Sequence, residues 1–291
     1  MADELPDGIH HFPSDEFPRA LPKVPLPFAL LGLYLSLSVL WILVSDRVAT
    51  AVFDDHAAES WVQTVKGIGF VVVTATVMTL AVATYVRRSN ADRQALEDAW
   101  DETILGWALA MDARESNLAL HSQRGADLTL LLARRMNVPD RQLRDLYRGA
   151  LLHDIGKFAV PEEVLNFPGP LNDEQWALIR QHPDRAVRLL APIEFLRAAI
   201  DIPQSHHEKW DGSGYPRGLS GTDIPLWARI FAVVDVYDAI TSKRSYHDGA
   251  SHERAMEIIR ADSGTHFDPV VVAVFEELMS RGNPLDRDAI G

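Results

Sequence analysis

Apolar positions fall into three regimes along this chain, and each regime predicts a different kind of element. Residues 1–24 have no periodicity; Pro6, Pro13, Pro18 and Pro22 lie among acidic residues, which predicts an irregular tail. Two stretches, Pro25–Ser45 and Gly67–Val86, are uncharged and about 20 residues each. A helix of that length crosses the ~30 Å hydrocarbon core of a bilayer. Neither stretch has the polar stripe expected of a core helix in a soluble domain. A cleaved leader, with Ala49-Thr50-Ala51 resembling a cleavage site, is disfavoured because its flank is acidic, its apolar run is long and a second span follows.

Beyond the spans the periodicity changes. Leu96, Trp100, Thr103, Trp107 and Ala110 recur at alternating spacings of four and three, an a/d seam that suits a homodimeric coiled coil or the first amphipathic helix of the next domain. From Met111 to Leu278 the spacing is helical almost throughout. Leu128, Leu131, Leu132 and Met136 form one apolar face; Leu189, Leu190, Ile193 and Leu196 form another. Ile230–Val236 is branched enough to pass for a strand, yet its continuation to Ile240 keeps helical spacing. The expected fold is all-α. Its expected parts are a tail (1–24), a two-span hairpin (25–88), a helical linker (89–110), a helical domain (111–282) and a C-terminal tail (283–291).

Charge placement orients the hairpin. Arg19 and Lys23 precede the first span and Arg87, Arg88 and Arg93 follow the second; the loop's Arg47 and Lys66 are set against Asp46, Asp54, Asp55 and Glu59. The positive-inside bias therefore puts both termini and the helical domain in the cytoplasm, with Trp41 and Trp61 as interfacial anchors. Over the 291 residues the net charge of −13 excludes an extended basic surface for a nucleic acid polymer. Cysteine is absent, so a metal site must use nitrogen and oxygen ligands.

Such ligands are concentrated in two short segments, His153-Asp154-Ile155-Gly156-Lys157 and His206 to Pro216. Read as one helix, the first puts Lys157 on the same side as His153 and Asp154, at spacings of four and three. The second repeats the adjacent pair as His206-His207, with Asp211 a turn beyond. One His-Asp pair alone is usually a solvated accident. Two, with His121, His182 and Asp235 besides, point to a metal centre.

Between about Asp112 and Phe275 the chain resembles the HD-GYP phosphodiesterases, which hydrolyse the bacterial second messenger cyclic di-GMP. The resemblance rests on His121-Ser122-Gln123-Arg124, Leu152–Lys157, His182-Pro183, His206–Pro216, Ala228-Arg229 through Asp235, Asp238, Arg244 and Tyr246, and Gly264–Pro269. It implies metal ligands at His121, His153, Asp154, His182, His206, His207 and Asp235, with Asp154 bridging. It also implies that Lys157 contacts the scissile phosphate, that Arg244 helps hold the ligand's other anionic part, and that Gly212, Gly214, Tyr215 and Pro216 shape the loop beside the pocket. Asn117 stands where three-metal members have glutamate, so two divalent ions are expected, iron or manganese by family behaviour. His247 replaces a substrate-contacting lysine of some members. Separately, Trp41–Asp46 and Lys66–Phe70 resemble a two-span module found ahead of bacterial signalling domains.

The implied activity is hydrolysis of cyclic di-GMP to linear pGpG or GMP by a two-metal-activated hydroxide, at the bacterial inner membrane. A non-catalytic receptor for the messenger and a hydrolase of another cyclic dinucleotide are the alternatives. Asp238, one turn from Asp235, suits a partner that orients a ligand or a support of the local helix. His10, His11, His56, His252 and His266 are expected to be structural or solvated.

Overall fold

A computed structural model describes residues 26–52, 56–115, 120–242, 249–280 and 282–285. They fall into two compact units divided between Asp92 and Arg93. Among the described residues all regular structure is helical, with only isolated bridges at Ser263–Phe267 and Ser280–Gly282.

The first unit holds helix α1 (Leu26–Val52) and the beginning of α2 (His56–Arg114). Most of their large apolar side chains, from Leu31 to Val48 on α1 and Ile68 to Val86 on α2, are exposed. Both helices are long and apolar enough to cross a membrane. Several of their hydroxyls bond back to a carbonyl of their own helix, while Ser45 Oγ is buried without a partner among the described residues. Ser38 Oγ donates to Tyr34 O at 2.7 Å and Thr74 Oγ1 to Phe70 O at 2.7 Å. The two motifs singled out in this region meet: Trp41 stacks on Phe70 at 5.6 Å, and Lys66 pairs with Asp46.

Helix α2 continues to Arg114, so the stretch expected as a helical linker (89–110) is helical and forms the C-terminal part of α2. It is followed by α3 (His121–Arg135), α4 (Asp140–Leu151) and a 3₁₀ helix (Ile155–Ala159). Then come α5 (Glu162–Leu165), α6 (Asp173–Ile179), α7 (His182–Leu190), a 3₁₀ turn (Glu194–Ala199) and α8 (Asp201–Ser205). The second unit closes with α9 (Leu226–Thr241), α10 (His252–Ala261) and α11 (Pro269–Met279). Helix α9 is central: Ala228, Ile230–Val234, Tyr237 and Asp238 are buried on all sides. That complete burial explains why its sequence lacks a polar stripe and looks like a strand.

Of the two readings open for the stretch from Leu96 to Ala110, packing favours the first amphipathic helix of the domain: Trp100 stacks on Phe195 at 4.4 Å, and Ile104, Ala108 and Met111 give the same helix a buried face within the unit. Charges reinforce that docking. Arg148, almost wholly buried, pairs with Asp101 at 2.6 Å, while Arg144 reaches Glu97 and Asp98. Leu96 and Trp107 remain exposed. Contrary to expectation, Leu189 to Leu196 is not one helical face: α7 ends at Leu190, Leu189 is exposed, and the chain turns before the 3₁₀ turn buries Leu196.

Candidate metal centre

Five separate segments deliver the candidate ligands. His121 opens α3, whose N-terminus is held by the buried Asp112: its carboxylate accepts from Ser122 N at 3.1 Å and Ser122 Oγ at 2.6 Å. That supplies the cap α3 otherwise lacks, since Leu120 at its N-cap makes no side-chain bond. His182 opens α7, His206 and His207 follow α8, and Asp235 lies on α9. The His153-Asp154 pair does not lie within one helix as the spacing suggested. Helix α4 ends at Leu151, and the pair occupies the turn before the 3₁₀ helix. Gly156 explains the break: a Cβ there would lie 1.9 Å from His182 O. Only a bare backbone lets α7 approach that closely.

The seven groups expected as ligands assemble into two facing clusters. Asp154, His182, His206 and His207 make one; His121, His153 and Asp235 make the other; in each, the ligand atoms lie within 4.8 Å of one another. Asp154 joins them, because its Oδ2 is 3.0 Å from His153 Nε2 while its Oδ1 is 3.4 Å from His182 Nε2. The rings rest on Phe231, 4.7 Å beneath His153.

Hydrogen bonds on the far side of the rings set their tautomers. Nδ1 of His153, His182 and His206 donates to Ala150 O (2.9 Å), Ile179 O (2.8 Å) and Ile202 O (3.0 Å). A carbonyl can only accept, so Nε2 is the ring atom turned to the shared space. Burial keeps His182 and His206 neutral, with an Nε2 lone pair there, whereas at His153 burial is outweighed by Asp154, which raises the ring above its ordinary value. His182 Nε2 and His206 Nε2 face each other at 3.3 Å, and two lone pairs at that distance repel unless a cation lies between. His153 Nε2 and Asp154 Oδ1 are buried without hydrogen-bond partners. The donor set therefore fits divalent cations and leaves buried polar atoms unsatisfied without them.

The two clusters differ in protonation. Burial, then the neighbouring His182, pushes His207 down to about 4, and burial also lowers His206 and His182. These imidazoles are neutral at pH 7. At His121 burial alone would act downward, but hydrogen bonds to Asp235 and Asp238 (2.6 Å from Nδ1) outweigh it and push the ring up to about 10. Asp238 also accepts from Arg124 at 2.9 Å, so its carboxylate is fixed and holds the orientation of the His121 ring. A cation entering between His121 and Asp235 must displace a proton. Metal uptake at this cluster is expected to release protons at pH 7, and its affinity to climb by up to about tenfold per pH unit between roughly pH 6 and 9. Calorimetry in buffers of different ionisation enthalpy measures that release; pH-independent affinity would refute it. Without a cation, the His121 proton stabilises the fold below its ordinary value of 6.5, and this contribution is lost as pH rises through about 10.

Lys157 lies beside both clusters. Its ammonium is 2.7 Å from Asp154 and 2.9 Å from Glu115, and although burial opposes its charge, these two carboxylates hold its pKa above the ordinary lysine value. Arg114 donates to three carbonyls of the surrounding turn, Lys157 O (3.2 Å), Phe158 O (3.0 Å) and Val160 O (2.7 Å). The end of α2 thus positions the Lys157 segment through Arg114 and Glu115, and the start of α3 through Asp112. Sequence reading missed all three, because their partners are 10 to 46 residues away along the chain. Glu115→Gln is expected to lower kcat by about 10- to 100-fold through misplacement of Lys157, leave metal content intact, and be partly rescued by Glu115→Asp. An unchanged kcat would remove Glu115 from this role.

The loop after His207 is closed by another residue that sequence reading passed over. Glu208, buried, accepts from Arg217 N at 2.8 Å and Leu219 N at 3.0 Å, and Arg217 reaches Ser205 Oγ at 2.8 Å. Gly214 packs directly on this strap, where a Cβ would lie 2.3 Å from Lys209 N. The loop holds Tyr215 stacked on His207 at 4.7 Å, with Pro216 after a cis peptide. Asp211 is exposed and bonds to Ser213, away from the clusters. His252 bonds to Tyr237 and His266 stacks on Phe267, outside both clusters. Asn117, Arg244, Tyr246 and His247 lie outside the described residues, as do His10 and His11.

Residues 109–271 match the model of the HD domain family. A cyclic di-GMP phosphodiesterase of Vibrio cholerae is 47% identical over 137 residues, covering 45% of this chain and 28% of that protein. A 3'3'-cGAMP-specific phosphodiesterase of the same organism is 36% identical over 184 residues, covering 62% and 35%. The chain thus spans about a third of the length of these curated relatives. Among solved structures, a cyclic GMP-AMP-specific phosphodiesterase of V. cholerae superposes with TM-score 0.51 at 25% identity, over 63% of this chain and 49% of that one.

Proposed function

Because the chain belongs to the HD domain family, in its HD-GYP branch, we propose that it is a membrane-anchored phosphodiesterase that hydrolyses cyclic di-GMP to linear pGpG or GMP. The observation that carries this reading is the pair of facing clusters joined by Asp154, with bare Nε2 atoms directed into the space between them. His121, His153, Asp154, His182, His206, His207 and Asp235 would hold two divalent ions, and an imidazole-rich set with two carboxylates favours iron or manganese over magnesium. When bound, such a pair lowers the pKa of water and offsets charge on phosphoryl oxygens. The chain's own contribution is positional. Lys157, its charge kept by Asp154 and Glu115, directs an N–H donor to the scissile phosphate. Phe231 closes the floor, and Tyr215 with Gly214 and Pro216 walls the side where the nucleotide enters. In the same reading α1 and the start of α2 span the inner membrane with the catalytic unit in the cytoplasm, Arg244 grips the other phosphodiester, and two chains pair along Leu96 and Trp107.

The test is incubation of the full chain in detergent, loaded with Mn²⁺ or anaerobic Fe²⁺, with cyclic di-GMP and separately with 3'3'-cGAMP. Formation of pGpG or GMP from cyclic di-GMP is the expected result. Intact messenger bound to metal-loaded protein would make the chain a receptor. Turnover of 3'3'-cGAMP alone would reassign the substrate.

A further inference from the structure

Arg180 is an unused cation at the rim of the metal centre. It lies two positions before His182, is solvent-exposed, and its guanidinium has no ion pair or hydrogen bond among the described residues. In a chain carrying −13, an arginine without a carboxylate partner beside a metal site calls for a reason. Its carbon Cζ lies over the Tyr215 ring at 5.5 Å and over the Trp176 ring at 5.9 Å. Tyr215 in turn stacks on His207 and lies 6.5 Å from His182, so the aromatic series runs outward from the ligands to the arginine. Burial pushes the Tyr215 phenol up to about 12, and the charges that bear on it include Asp154, Lys157 and Arg180 together. One side chain therefore feels both the metal centre and the arginine.

The chemistry of this corner suits a purine. A guanidinium held over aromatic rings keeps its in-plane N–H fork free. That fork matches a coplanar pair of acceptors, and of guanine and adenine only guanine offers O6 and N7 side by side. Trp176, 45% exposed, supplies a ring on which a base stacks. A phosphate contact would need the charge but neither the planarity nor the exposed aromatic. We propose that Arg180, with Trp176 and Tyr215, is a guanine-reading subsite that selects guanine-containing cyclic dinucleotides. The proposal rests on the phosphodiesterase reading for its biological meaning, but the recognition itself can be measured without turnover.

The experiment uses the full chain loaded with Mn²⁺. Titration with GMP and AMP is expected to show the wild type binding GMP at least tenfold more tightly than AMP, with Arg180→Ala erasing that preference. In steady state Arg180→Ala should raise KM for cyclic di-GMP at least tenfold, and for 3'3'-cGAMP by less, with kcat changed under threefold. Arg180→Lys, which keeps the charge and loses the fork, should behave like Arg180→Ala. Full rescue by lysine, or an equal loss for GMP and AMP, would make Arg180 a simple phosphate contact and overturn the proposal. So would a GMP preference that survives Arg180→Ala. If the wild type prefers GMP but hydrolyses no cyclic dinucleotide, the phosphodiesterase reading fails and the subsite stands.

Discussion

Asp154→Ala is expected to abolish hydrolysis and metal retention together, with turnover falling by about 10⁴-fold or more, because one carboxylate serves three neighbours at once. Its two oxygens lie 3.0 Å from His153, 3.4 Å from His182 and 2.7 Å from Lys157. Burial alone would favour the protonated acid; Lys157 and His153 instead keep Asp154 ionised, well below the ordinary carboxylate range. Deleting it removes the carboxylate shared by the two clusters and leaves Lys157 buried with Glu115 as its one carboxylate partner among the described residues. Breaking a buried charge pair by removing one partner costs about 3–5 kcal/mol in its own right. Asp154→Asn separates the effects. It preserves volume and relieves the fold, yet a neutral amide is a weak ligand, so metal content should still fall toward zero. Elemental analysis alongside product formation decides the matter: an Asn variant that keeps two metal equivalents and near-normal turnover would overturn the assignment.

Gly156→Ala is expected to do comparable damage by a steric route. The added methyl would lie 1.9 Å from His182 O and 2.8 Å from Ala186 N, both backbone atoms of α7 that cannot rotate aside. Helix α7 must shift, or the 3₁₀ helix carrying Lys157 must unwind. The cost is roughly 3 kcal/mol or more, which for a unit of this size lowers Tm by about 6–12 °C. His182 opens α7, so the shift also displaces a candidate ligand of the Asp154 cluster. Loss of metal from that cluster should therefore accompany the drop in Tm, even though the substitution changes no ligand. An alanine variant with unaltered Tm and metal content would show that the two segments approach less closely than described.

Much of this was legible in the one-dimensional pattern. Two uncharged stretches long enough to span a bilayer need no context to be recognised, because hydrocarbon length fixes their size. Helical spacing from Met111 onward gave the all-α class, and α9 kept that spacing despite its strand-like composition. The candidate ligands were legible as residue types, since adjacent His-Asp and His-His pairs are rare and chemically pointed. Local periodicity fell short where tertiary contacts decide. The spacing at Trp100 suited a seam or a domain helix equally, and the choice rests on Phe195, 95 residues on, which stacks against it. Spacing also placed His153 to Lys157 on one helix, whereas α4 ends at Leu151 and Gly156 packs against the backbone of α7.

What the sequence determined by itself is the inventory: two apolar spans, a helical domain, and seven imidazoles and carboxylates on segments too far apart to meet locally. What only the tertiary structure decided is their relation. Folding turned every Nδ1–H of His153, His182 and His206 to a backbone carbonyl, so that each Nε2 faces the shared space. It set Glu115 and Arg114 around Lys157, used Glu208 to strap the loop, and placed Arg180 over Tyr215 without a carboxylate among the described residues. The physical reason is that hydrogen bonds and ion pairs act over about 3 Å of space and are indifferent to separation along the chain. Periodicity reports which face of an element is buried, but not what that face will meet.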